Sequence, residues 1–137
     1  MIMKYKLSEK ILFDSVIFDP VNKTFEILDG SIGVYRYEDI KRFAILNENA
    51  RYRGKQAPFT ALLPGSGLPA GIFSYPYMYV GIKVVLKDET ILGIYVSKEK
   101  TMLNTDQYLH DRKIANEIGQ IFQSILNDQA TLKDPSC

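Results

Sequence analysis

Near the C-terminus, Ile114, Ile118, Ile121, Phe122, Ile125 and Leu126 recur at i, i+4, i+7, i+8, i+11 and i+12. That spacing puts all of them on one stripe of an α-helix. Burying each contributes about 1.5–3 kcal/mol, an upper bound because an unfolded chain already hides part of its surface. A helix so one-sided must lie on another element, and everything before it reads as strand. The partner is therefore a sheet. Thr105 or Asp106 can start the helix by accepting a hydrogen bond from an early backbone N–H. It is expected to run to about Asn127, with 128–137 as a frayed tail.

The strands announce themselves by alternation and by the turns between them. In "ILFDSVIFDPVNKTFEILD" the run Val16, Ile17, Phe18 is β-prone, "DPVNK" has the residues of a reversal, and Phe25 and Ile27 share one face. Gly30 and Gly33 mark the next break. "YEDI" predicts a short turn, capped by Asp39, before the strand "KRFAIL", and "NEN" closes that strand. "ARYRGK" reads as a further strand with Arg51, Arg53 and Lys55 on one face. "YVGIKVVLK" and "TILGIYVS" form a hairpin. Val80, Ile82, Val84 and Leu86 alternate with Leu92, Ile94 and Val96 toward a core, and Lys83, Lys87 and Ser97 occupy the polar outside.

The order of these segments resembles the bacterial PH-like domains. "VIFDPVNKTFEILDG", "YRYEDIKRFAIL", a Gly-containing apolar insertion and "GIKVVLKDETILGIYVS" lead into an amphipathic helix. The resemblance is to an uncharacterised Gram-positive group in which a Y-x-D-I turn precedes an apolar strand. Tyr37, Asp39, Ile40, Phe43, Ile45 and Leu46 stand at those positions, and roughly residues 15–127 are covered. The resemblance implies a mainly β (α+β) fold, a PH-like antiparallel barrel or half-barrel of about six to seven strands capped by the helix. It informs fold far more than function. The first hairpin turn offers only Lys23, so no lipid-headgroup site is carried over.

Composition supports one globular domain over residues 1–137, with a core of about 11–127. The 137 residues are 46% hydrophobic and 24% charged, enough to bury a core without disulfide or metal. A net charge of +1 creates no global field for nucleic acid, and no nucleic-acid partner is expected. The single cysteine, Cys137, excludes an internal disulfide and a CxxC zinc site. "MIMKYKLSEKILF" lacks the apolar core of a signal peptide, so a bacterial cytoplasmic location is expected.

The residues that carry enzyme chemistry are sparse. His110 is the only histidine, predicted at the start of the helix, and no triad partner is recognisable. The carboxylates scatter among turns. "GSGLPAG" lacks the G-K-[ST] and the following helix of a phosphate loop. Tyr75, Tyr77 and Tyr79 alternate, but packing explains them better than base stacking, since no basic residue is interleaved. No catalytic residue, metal or cofactor is expected.

What remains is "QAPFTALLPGSGLPAGIFSYPYMYVGI", Gln56 to Ile82, without one charged side chain. Its prolines forbid a spanning helix. Long loops of this kind are functional or disordered, and the apolar content disfavours disorder. Leu62, Leu63, Leu68, Ile72 and Phe73 are expected to form an apolar cluster that plugs the core, docks on a partner or touches a bilayer. Arg51, Arg53 and Lys55 border it. The expectation is a non-catalytic binding module acting by protein–protein contact or self-association. The alternative is peripheral association with a membrane surface through loop 57–79 and that basic border.

Overall fold

The computed structural model describes residues 10–50 and 77–133. Among them are β1 (Ile11–Leu12), β2 (Val16–Asp19), β3 (Thr24–Ile27), β4 (Gly33–Arg36), a 3-10 turn (Tyr37–Asp39), β5 (Ile40–Asn49), β6 (Tyr77–Leu86), β7 (Ile91–Tyr95), β8 (Thr101–Met102) and α1 (Asp106–Lys133). The fold is mainly β: the described residues form two antiparallel four-stranded sheets and one C-terminal helix. The first sheet runs β1-β2-β3-β4. The second runs β5-β6-β7, with β8 beside β6.

The β2–β3 reversal falls at "DPVNK" because Asp19 organises it. Its Oδ1 accepts the N–H groups of Val21 and Asn22 at 3.1 and 3.0 Å, and its Oδ2 accepts the Asn22 amide at 2.8 Å. These donors, the Asn22 backbone first, hold the Asp19 carboxyl below the usual carboxylate range. Lys23 completes the turn with φ 59. Across the resulting hairpin Phe18 faces Phe25 and Val16 faces Ile27, and all four are buried.

The sheets meet where the β3–β4 corner runs along the outer edge of β7. Tyr95 donates its N–H to Asp29 O at 3.0 Å, and Ser31 donates to Gly93 O at 2.9 Å. The Ser31 hydroxyl accepts the Gly93 N–H at 2.9 Å. This satisfies an edge that would otherwise be open. Gly30 makes the approach possible: its φ is +120°, and a Cβ there would lie 2.1 Å from Gly93 O.

One core unites both sheets and the helix. Phe122 of α1 packs edge-on against Phe18 and Phe25, at 5.2 and 5.3 Å between centroids, and tilted against Phe43 at 5.7 Å. Ile118 is fully buried and belongs to the same core cluster as Ile82, Val84 and Ile94. The expected apolar stripe is thus the contact face, with Ile114, Ile121 and Leu126 half-buried along its margins.

The structure corrects several expectations. It has eight strands among the described residues, because β1 and β8 are two-residue pairings too short to leave a pattern. "NEN" continues β5: Asn47, Glu48 and Asn49 pair with Val80, Tyr79 and Met78. Asp39 does not cap the 3-10 turn; Arg36 holds the cap position without a side-chain bond, and Asp39 meets the Arg36 guanidinium at 3.5 Å. Ser97 is buried rather than outward, and Val85 and Tyr95 are buried on the face expected to be polar. The helix does not stop at Asn127 but runs to Lys133, and Gln129 donates to Tyr37 O at 2.6 Å.

Candidate binding surfaces

Register decides what the outer face of the first sheet carries. Ile11, Phe18, Phe25 and Tyr35 lie in one cross-strand row, and Leu12, Ile17, Glu26 and Val34 in the adjacent row, which points the other way. The second row faces outward. Leu12 is 70% exposed and Val34 64%, and Ile32 at the β3–β4 corner is 74% exposed. Leu28 adds a further partly exposed apolar side chain. Single exposed apolar residues are ordinary; several on one sheet face, here interrupted at β3 by the exposed Glu26, make a candidate contact surface. It borders β4, which among the described residues pairs with β3 alone. Arg36, at the end of β4, is occupied by exposed ion pairs with Glu38 (2.9 Å) and Asp39 (3.5 Å).

A second polar concentration lies where α1 begins. Thr105 is the cap, its Oγ1 accepting the Tyr108 N–H at 3.2 Å and donating to Met102 O at 2.8 Å. Just beyond β7, Val96 and Ser97 both donate backbone N–H to Val80 O. The Val80 N–H is taken up by Ser97 Oγ at 2.9 Å. Ser97 in turn donates to Asp111 Oδ2 at 2.7 Å, and Gln107 donates to Asp111 Oδ1 at 2.8 Å. Asp111 is only 4% exposed. Nearby, the Asn47 amide donates to the Tyr108 hydroxyl and accepts from Arg112, both at 3.3 Å. Each buried group has its partner, so this cluster fastens the helix start to the sheet.

A third concentration is on the opposite face of the second sheet. Glu48 is fully buried and accepts from the Tyr95 hydroxyl at 2.5 Å. Tyr79 packs edge-on against Tyr95 at 6.0 Å. The Lys100 ammonium stands 4.8 Å from the centre of the Tyr77 ring. Tyr77 and Tyr79 both take part in ring contacts on this face.

The residues singled out from sequence divide unevenly. Leu62, Leu63, Leu68, Ile72, Phe73, Arg51, Arg53 and Lys55, and Tyr75 beside them, lie outside the described residues. His110 is exposed in the first turns of α1. Among the described residues, no three of His, Cys, Asp and Glu cluster as metal ligands. Among the same residues, no helix is long and apolar enough to cross a membrane. Sequence reasoning missed the outer row of the first sheet, although Leu12, Ile32 and Val34 are visibly apolar. Their direction depends on strand register, which only the cross-strand pairing reveals. It also missed Ser97 and Asp111, whose types read as solvated.

No family model, curated protein or solved structure matches this chain.

Proposed function

We propose that this chain is a non-catalytic binding module on a PH-like half-barrel, acting through protein–protein contact, with a second copy of itself as the partner. The observation that carries the reading is the exposed apolar pair Ile32 and Val34 at and beside β4, with Leu12 exposed at the far end of the same outward row, next to a β4 edge that has no partner among the described residues. An open strand edge gives backbone hydrogen bonds to an added strand, and alternate side chains give specificity. Antiparallel pairing of β4 with β4 of a second copy is its own complement, as a twofold interface requires. The strand order supports the PH-like comparison: a four-stranded meander, a second antiparallel sheet, then a helix on the shared core. The polar clusters support a module without chemistry, since their donors and acceptors are spent on one another.

The test is molar mass by light scattering over a concentration series, for the parent and an Ile32→Lys, Val34→Lys variant, beside sedimentation with anionic phosphatidylserine vesicles. The parent should grow from monomer toward dimer, and the variant should stay monomeric with an unchanged melting temperature. A parent that stays monomeric throughout refutes the reading. Vesicle binding by that monomer would instead favour membrane-surface association.

A further inference from the structure

A cleft of about 380 Å³ runs between α1 and the β2–β3 turn. It is separate from the outer face of the first sheet, and none of the residues discussed for association lines it. Its floor is apolar: Ile11, Pro20, Ile121 and Ile125. Its rim is mixed, with Lys23 facing Glu117 and Asp128. The size is at the lower end of what small-molecule sites occupy.

Tyr37 makes this cleft more than a gap in the packing. The residue is 8% exposed and lines the cleft. Its backbone is fully used: Tyr37 N–H donates to Lys23 O at 2.9 Å, and Tyr37 O accepts from Gln129 at 2.6 Å. The ring is thereby held from both sides of the cleft. Its hydroxyl makes no hydrogen bond to any described residue. No buried side-chain nitrogen or oxygen among these residues lacks a partner, so the hydroxyl must be at the part of Tyr37 that remains open. Tyr37 lines a largely apolar cleft, and a hydroxyl that has no partner among the described residues is free to fix a ligand's orientation there.

We propose that this cleft binds a small, uncharged, mostly apolar ligand carrying a carbonyl-type acceptor, which takes the Tyr37 hydroxyl proton in a hydrogen bond. The apolar floor supplies the contact area. The hydroxyl is a donor at neutral pH, as a phenol ordinarily is, and burial and the nearby Asp19 charge push it up further, to about 12. The rim argues against an anion, since Glu117, Asp128 and the nearby Asp19 outnumber Lys23, and the apolar floor with a hydroxyl donor favours an uncharged acceptor. This site is independent of the proposed self-association.

Prodan, an uncharged naphthyl ketone, is the probe. Its emission reports both the polarity around it and hydrogen bonding to its carbonyl. The full chain should bind it saturably at one site. Tyr37→Phe removes an oxygen without a protein partner, so the fold should hold. That variant should weaken binding by about three- to tenfold, the ratio one net hydrogen bond carries, and shift bound emission to the blue. Ser124→Trp, which fills the cleft from the exposed side of α1, should abolish binding. Ile32→Lys, remote from the cleft, should not change it. Absence of saturable binding, or binding that survives Ser124→Trp or is lost in Ile32→Lys, overturns the proposal. So does unchanged affinity and emission in Tyr37→Phe.

Discussion

Gly30 shows how much a single position can decide. Its φ of +120° is one that side-chain-bearing residues rarely adopt, and the space a Cβ needs is occupied by the Gly93 carbonyl. Gly30→Ala should therefore cost about 2–4 kcal/mol, from backbone strain plus separation of the corner from β7. A denaturant midpoint within error of the parent would contradict this. Ser97 carries a different burden, since it accepts from Val80 N–H and donates to Asp111. Ser97→Ala strands both groups in the interior and should cost about 1–3 kcal/mol, read from the same denaturation curves. Tyr37 connects stability to pH. Its phenol is raised from 10.0 to about 12, so the folded chain holds that proton more tightly than the unfolded one. The associated stability is complete below pH 10.0 and is lost as pH rises through about 12. Other tyrosines and lysines titrate in this window, so the parent is compared with Tyr37→Phe. The variant should lose less stability across it, and parallel losses would show that Tyr37 contributes nothing there.

At the scale of elements, the helix and the central strand organise the rest. α1 is joined to the sheets at its start by the Ser97–Asp111 and Asn47–Tyr108 contacts, in the middle by Phe122, and beyond Asn127 by Gln129. Phe122→Ala removes the ring on which Phe18, Phe25 and Phe43 converge and should cost about 3–5 kcal/mol. A loss below 1 kcal/mol in that measurement would mean that the helix is peripheral to the core. The predicted helix ended too early because "DQATLK" has no apolar stripe. What extends it is a polar contact to a turn 92 residues earlier in the chain, which no local pattern encodes.

For the whole molecule, the second sheet is the inner frame. β6 is flanked by β5 on one side and by β7 and β8 on the other, and most of its residues are buried. Native-state hydrogen exchange should find its slowest amides in β6, around Ile82 and Val84, with β1 and β4 faster. If the amides of the first sheet proved the slower set, the frame would have been assigned to the wrong sheet. The first sheet contributes its inner row to the core and leaves its outer row to solvent. That asymmetry is what makes it the candidate for meeting a second molecule.

Periodicity alone was enough for the class of fold, because helix and strand impose different spacings on apolar residues. The stripe on α1, the Val16–Ile27 hairpin with its Asp19 turn, and the β6–β7 hairpin could all be read from neighbours in the chain. The direction of the Leu12–Ile17–Val34 row, the burial of Glu48, Ser97 and Asp111, and the exposure of the Tyr37 hydroxyl could not. Each depends on which distant segment covers a given side chain. A polar residue is read as solvated until a partner from elsewhere in the chain takes its hydrogen bond. An apolar one is read as core until the sheet register turns it outward. Those two decisions belong to long-range pairing, and they are also the ones that create the candidate binding surfaces.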